Sequence, residues 1–400
     1  MKKSIHLFKG DKSIWVIFFI MSIISLVAVY SSIGRTAIEN LGISPTMAFL
    51  KHFAIVVGTY VVVVFISNFN YRTFSRISQF GYLLSIGLLV FVLATGGQRW
   101  ISIPLFGQFQ PSEVAKVVLV VFVARMLALN QERIDTLETF LKLLFSIGLI
   151  AGLIVLENLS TAILVFFSCY LLMYIGGVNK KYWFRTLFIA LGIVVIGLLV
   201  LSRGSGASGD GQDNKVEVGR SLTWGHRVDS WLHPDHDALT QENMARMAVA
   251  RGKVFGVGPG KTVHARLMTQ ADNDFIYAII IEETGMVGGL FILALYSVFY
   301  LLCIKLAKRC KGRKFGSLMV VGFGTTIYLQ ALINMSVAVG ALPVTGQTLP
   351  FISYGGTAYI FMGIAMGIIQ AVACDNIRQE KKEQLKIDNT NTINNNESNR

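Results

Sequence analysis

The stretch TQADNDFIYAIIIEETG, residues 269–285, opens a long apolar run, yet it carries Asp274 at its start and Glu282 and Glu283 within it. Ionised carboxylates are costly in hydrocarbon, so acids in such a place need partners, water or a task. Which of these applies depends on the side of the membrane they face, and the rest of the chain sets that.

Of the 400 residues, 53% are hydrophobic and only 15% are charged. A soluble globular protein carries roughly a quarter charged residues, so this balance points to a membrane. Apolar runs of roughly 20 residues, enough to cross a bilayer, recur along the whole length. We read ten, centred near residues 22, 58, 87, 121, 149, 168, 192, 294, 328 and 365. The expected fold is therefore an all-α integral membrane protein of about ten transmembrane helices. The N-terminus has the basic start and apolar core of a signal peptide, but the core is too long for a cleaved one and reads as the first helix.

The net charge of +13 invites a nucleic-acid reading. The basic residues instead sit where topology would put them: Lys2, Lys3, Lys9 and Lys12 before span one, Arg72 and Arg76 after span two, and Lys180, Lys181 and Arg185 after span six. The densest cluster, KLAKRCKGRK at 305–314, follows span eight, and Arg378, Lys381 and Lys382 follow span ten. The positive-inside rule puts all these loops and both termini in the cytoplasm, so the charge needs no nucleic acid. The four cysteines lie in spans or at their cytoplasmic ends, and no structural disulfide is expected.

This topology places a large extracytoplasmic loop, about 203–274, between spans seven and eight. The domain division is a cytoplasmic N-terminus at 1–12, a polytopic membrane domain at 13–374, and a polar, disordered cytoplasmic tail at 375–400. Within the outer loop, Met244, Met247, Ala248 and Arg251 have helical spacing, suggesting a short helix lying on the membrane surface.

The outer segments carry the candidate chemistry. In HRVDSWLHPDHD, His226, Asp229, His233 and His236 match no metal-ligand spacing, and loop histidines at a wet surface are ordinary. GVGPG, 256–260, lacks the preceding strand and sixth-position glycine of a dinucleotide loop and reads as a tight turn letting backbone approach a lipid or sugar. In RWISIPLFGQFQPSEVAK, 99–116, Glu113 and Lys116 are i,i+3 neighbours. They are either a stabilising pair or, with Arg99, a cationic site for an anionic headgroup in which Glu113 orients Lys116. PVTGQTLPFISYGG, 343–356, is either a turn or a re-entrant surface lining a cavity.

Together these motifs resemble the family of shape, elongation, division and sporulation proteins that includes FtsW, RodA and SpoVE. The resemblance rests on RWI…QPSEVAK, GVGPGKT…NDFIYAIIIEETGMVG and PVTGQTLPFISYGG, and it covers about 13–374. It implies a peptidoglycan glycosyltransferase that polymerises lipid II at the outer face of the bacterial cytoplasmic membrane. It implies Asp274 as the catalytic carboxylate. Substrate binding would fall to Arg99, Glu113, Lys116, Ser353, Tyr354, Gly355 and Gly356, with Glu282 and Glu283 in support. A divalent cation, magnesium or manganese, bridging the substrate phosphates belongs to the same expectation, without a protein-ligated metal site. The implied partners, besides membrane lipid, are a class B penicillin-binding protein and other divisome proteins.

The chain departs from the family pattern in places. LMTQADNDF replaces the usual LPEAHTDF and leaves Asp272 as an alternative base; ENLST, 157–161, replaces PDLGT; and Gln108 stands where a basic residue is common. General likeness around HRVDSWLHP and ENLST favours a division role over a RodA-like elongation role. A lipid II flippase is the rival of a different class, since it too needs intramembrane charge and a cavity. A non-catalytic scaffold for a transpeptidase is the third reading.

Overall fold

The computed structural model describes residues 8–33, 44–95, 101–103, 107–190, 192, 227, 230–231, 240–268, 271–310 and 312–398. Its helices are α1 (Lys12–Ser32), α2 (Pro45–Ser67), α3 (Tyr71–Ala94), α4 (Pro111–Leu129), α5 (Leu137–Val155), α6 (Leu159–Ile175), α7 (Gln241–Gly252), α8 (Ile276–Arg309), α9 (Lys314–Ala338) and α10 (Gly356–Ser398). Among the described residues, seven helices are long and apolar enough to cross a membrane: α1, α2, α3, α5, α8, α9 and α10. Helices α4, which carries Glu113, Lys116 and Arg125, and α6, of 17 residues, coincide with two more expected spans. Residues 180–190 are helical, but most of the expected span near 192 lies outside the described residues.

The helices form because their apolar runs have defined starts. Asp11, Ser44, Asn70, Thr136 and Asn158 each cap the helix that follows by accepting from its first free N–H groups. Both faces of α1 are apolar: Phe18, Met21 and Val29 are buried, while Phe19, Val27 and Tyr30 are exposed. An exposed apolar stripe of that kind suits lipid rather than water. Gly363 and Gly367, one turn apart on α10, let that helix lie against α2; a Cβ at Gly363 would come within 2.3 Å of the Thr59 side chain.

The spans alternate in direction. Lys9–Asn68 (2.8 Å), Arg309–Asp11 (3.9 Å) and Arg313–Asp375 (2.7 Å) gather one set of helix ends. The other set meets around Asp274. The basic segments at 9–12, 72–76 and 305–314 and the start of the tail thus come to the end opposite Asp274, as the charge pattern requires. All four cysteines are buried free thiols.

Two expectations need correction, and the all-α fold carries one small addition. A short antiparallel hairpin, β1 (Ile101–Ile103) and β2 (Gly107–Phe109), precedes α4 with Ile101 opposite Phe109. Phe109 docks on α10 through Phe361, with ring centroids 5.8 Å apart. Helix α7 turns its apolar face to protein rather than to lipid: Met244, Ala245 and Ala248 are buried and the helix packs on α8, where Gly252 lets its end approach the Ile281 carbonyl. The expected disordered tail continues α10 as helix to Ser398. Its polar residues add turns to a helix already nucleated by the buried part, which costs far less than starting one.

Candidate active site

Helix α8 is broken at Gly285, whose φ of 73° and ψ of −173° are not helical. Beyond the break, Met286–Arg309 supplies about 24 residues, roughly 36 Å of helix, enough to cross a bilayer alone. Before it, Ile276–Glu283 is buried on every side, whereas from Met286 onward exposed and buried positions alternate. The first part of α8 is thus enclosed by protein, and its acids do not face hydrocarbon.

Glu282 accepts from Arg251 Nη1 (3.0 Å), from Val263 N (3.3 Å) and from the Thr262 hydroxyl, and pairs with His264 Nδ1 at 2.9 Å. Glu283 accepts from Gly260 N at 2.9 Å and from the Ser31 hydroxyl. These two acids tie the loop and α1 to α8. A cavity of about 460 Å³ beside Glu283 is walled by Val27, Tyr30, Ile33 and Pro259.

The backbone of 253–258 runs alongside the break. Val257 N donates to Glu282 O (2.9 Å), Gly258 N to Glu283 O (3.0 Å) and Met286 N to Lys253 O (2.9 Å). A Cβ at Gly256 would lie 2.1 Å from Glu283 O, and one at Gly285 would lie 2.1 Å from Val254 O. Gly256 of GVGPG therefore serves the approach of one backbone to another, correcting at that position the expectation of a lipid or sugar.

Asp274 sits in the turn just before α8, half-buried. Burial pushes its carboxyl up to about 6, with the Arg227 charge opposing and the Asp272 charge adding to the rise. The turn is held from three sides. Asn334 Nδ2 donates to Asp274 O (2.8 Å) and to Gln347 O (2.7 Å). The Ser353 hydroxyl donates to Asn273 O (2.6 Å) while accepting from Leu349 N (2.7 Å), and Tyr354 N donates to Asp272 O (2.8 Å). Segment 343–356 is thus a fixed wall against the Asp274 turn. Gly346 lies so close that its Cβ would stand 3.6 Å from Asp274 Oδ2. Gly355 accepts from Ala358 N, and Gly356, at φ +44°, starts α10. Asp272, the alternative base, is 0% exposed, so the half-buried Asp274 is the more accessible of the two.

Glu113 and Lys116 pair on the first turns of α4. Lys116 Nζ donates to both Glu113 oxygens and to Gln330 Oε1, each at 3.0 Å, and is 1% exposed. With its protons committed and its charge matched, this ammonium suits a positioning role better than direct contact with an anion. Gln330 in turn donates to Thr348 O at 3.0 Å, linking the pair to the 343–356 wall.

Three residues that sequence reasoning passed over belong here. Gln330 and Asn334 are polar residues one turn apart in an apolar span, a signal that was available. Arg227 lies within the histidine-rich stretch; its Nη1 donates to Val344 O at 3.3 Å and its charge acts on Asp274. Arg99, and the histidines His226, His233 and His236, lie outside the described residues, as does Asp229. Among the described residues, no three His, Cys, Asp or Glu side chains come together as a metal-binding group.

A family model for cell cycle proteins of the FtsW, RodA and SpoVE type matches residues 11–378. The chain belongs to this family. Among curated members it is 27% identical to a probable peptidoglycan glycosyltransferase FtsW of Enterococcus hirae, over 98% of this chain and 100% of the relative. It is 30% identical to a probable peptidoglycan glycosyltransferase FtsW of Bacillus subtilis, over 87% of this chain and 86% of the relative. Among solved structures, a chain of a peptidoglycan synthase complex shares the fold with a TM-score of 0.70 at 21% identity, covering 92% of this chain and 98% of that one. The FtsW, RodA and SpoVE fold is thus the frame on which the Asp274 turn is built.

Proposed function

We propose that the protein is a peptidoglycan glycosyltransferase that polymerises lipid II, working at the outer face of the bacterial cytoplasmic membrane in septal wall synthesis during division. The observation that carries this reading is Asp274: a half-buried carboxylate, raised to about 6, in a turn fixed by Asn334, Ser353 and Tyr354. Family membership and the FtsW names of the relatives support both the reaction and the division role.

In the reaction the 4-hydroxyl of one lipid-linked sugar attacks the anomeric carbon of another. A sugar hydroxyl is a poor nucleophile at neutral pH, so a base with a pKa near the working pH is needed. Asp274 takes the hydroxyl proton as the new C–O bond forms. The bond from the anomeric carbon to the lipid diphosphate breaks, and the diphosphate leaves with its electron pair. Its growing negative charge calls for a cation. Arg227, whose field already reaches Asp274, is the described candidate, and Arg99 joins it on the sequence argument. The Glu113–Lys116 pair holds Gln330 and, through it, the Thr348 backbone. Magnesium or manganese would be held chiefly by the substrate phosphates.

The partner is a class B penicillin-binding protein, which cross-links the strands made here, within a larger set of divisome proteins. The test is glycan-chain formation from lipid II by the purified protein with that partner, comparing wild type with Asp274→Asn at matched folding. Polymer from the wild type alone supports the reading. Polymer from both moves the base to Asp272. No polymer from either, with labelled lipid II crossing vesicle membranes, replaces the enzyme with a flippase.

A further inference from the structure

At the end of the bundle opposite Asp274 lies a second cavity, of about 560 Å³, between the start of α3, the end of α4 and the start of α9. Helix α9 runs from Lys314 at this cavity to Asn334 beside the Asp274 turn, roughly 30 Å of helix, so the cavity plays no part in the chemistry described above. Its lining holds Arg72, Arg76, Arg125, Arg313 and Lys314 and no acidic residue. Of these five cations, only Arg313 has a carboxylate within ion-pair reach among the described residues, Asp375 at 2.7 Å. Asp375 also acts on Arg72 from further away. Lys314 rests on a neutral partner, the Gln131 side-chain oxygen.

Arg125 is the informative member. Its Nη1 is buried and has no hydrogen-bond partner. A buried, unsatisfied guanidinium N–H is expensive, and more so beside other cations. An anion with several acceptor oxygens would remove both costs together. Helix α9 adds to the field: it starts at Lys314 with no side chain capping its free N–H groups.

The walls say what the anion is attached to. Tyr71 and Phe315 stack across the lining with centroids 6.1 Å apart. Leu129, at the rim, is 66% exposed, and Ile77 and Phe80, on α3 just beyond Arg76, are 54% and 70% exposed. The cations thus give way directly to apolar surface of the kind that faces acyl chains. A soluble phosphate would have no use for that surface, whereas a lipid phosphate would use both parts.

We propose that this cavity is a binding site for the phosphate headgroup of an anionic phospholipid. The phosphodiester sits over Arg125, with Arg72, Arg76 and Lys314 around it and the acyl chains along Ile77, Phe80 and Leu129. The site is independent of the polymerase reading and stands or falls by binding alone.

The experiment is native mass spectrometry of the delipidated full chain in detergent, titrated with dioleoyl phosphatidylglycerol or dioleoyl phosphatidylcholine. Phosphatidylglycerol should bind about tenfold more tightly, since a charge-assisted contact to phosphate is lost in neither headgroup but the zwitterion's own cation opposes the cluster. Arg125→Gln should weaken phosphatidylglycerol about tenfold, and phosphatidylcholine in the same direction, since both carry the phosphodiester that Arg125 meets. Arg76→Gln, at an exposed position that folding does not need, should weaken it in the same direction. Lys142→Gln, the same charge change on α5 outside the cavity, should have no effect. Equal retention of the two lipids, or wild-type binding by both arginine variants, overturns the proposal. Displacement of the lipid by millimolar inorganic phosphate overturns it as well, by making the site one for a soluble anion.

Discussion

Gln330 and Asn334, one turn apart on α9, join the buried ion pair of α4 to the Asp274 turn: Gln330 Oε1 accepts from Lys116 Nζ at 3.0 Å, and Asn334 Nδ2 donates to Asp274 O at 2.8 Å. A helix face is a rigid ruler, so these two amides fix the base relative to the wall that faces it. Asn334→Leu should leave the carbonyls of Asp274 and Gln347 without that donor, at about 1–3 kcal/mol for each group left unsatisfied. We expect the turnover of lipid II to fall about 10–100-fold while lipid II binding changes little, because the base is misplaced rather than removed. Single-turnover polymerisation alongside a binding isotherm checks the split.

The acid–base behaviour of Asp274 gives a second prediction. Only the ionised carboxylate accepts a proton, so the rate should climb as pH rises through about 6. The linkage runs the other way. The folded state holds this proton more tightly than the unfolded chain, so stability falls as pH rises from about 3.8 through about 6. Asp274→Asn removes the ionisation and should raise stability at pH 8 by about 1–3 kcal/mol while abolishing polymerisation. Thermal melts of both proteins at pH 5 and pH 8 measure this; equal melting at both pH values for both proteins would sink it.

The Glu113–Lys116 pair should behave as a unit. Lys116→Met leaves a buried carboxylate unpaired and should cost about 3–5 kcal/mol. Glu113→Leu combined with Lys116→Met should recover most of that loss, since the pair's mutual attraction largely offsets its own desolvation. A double-mutant cycle on melting temperature gives the coupling energy directly.

The clasp at the α8 break is open to a steric test. Gly285→Ala puts a Cβ 2.1 Å from Val254 O at a φ of +73°, and should cost about 2–5 kcal/mol and expose 253–264 to protease. Gly260 has the same φ of +73° with nothing within 4 Å of its Cβ, so Gly260→Ala should cost only about 1–2 kcal/mol. Equal effects would mean that conformation, not contact, sets the requirement at Gly285.

Most of the bundle was legible in the sequence because runs such as Lys12–Ser32 are apolar for the full length a bilayer demands. The start of α8 was not. Hydropathy treats Ile276–Ile281 as membrane whether lipid or protein surrounds it, and only the positive φ of Gly285 separates the two parts. GVGPG reads in sequence as a turn facing a ligand, because glycines signal close approach without showing what approaches. Lys116 was legible as a partner of Glu113 by spacing, but its burial depends on Gln330, more than 200 residues away. The hairpin before α4 is too short to leave a clear alternation of apolar and polar residues.

The break at Gly285 also isolates the chemistry from the thickness of the bilayer. A continuous helix that tilts to match a thinner or thicker membrane swings its far end with it. Here the crossing half, Met286–Arg309, meets the enclosed half at a joint held by backbone bonds to Lys253, Val257 and Gly258. Tilt of the crossing half against lipid should be taken up at that joint, leaving the Asp274 turn in place against segment 343–356. Synthesis by this protein should therefore vary little between bilayers of 14- and 20-carbon acyl chains, even as the tilt of α8 changes.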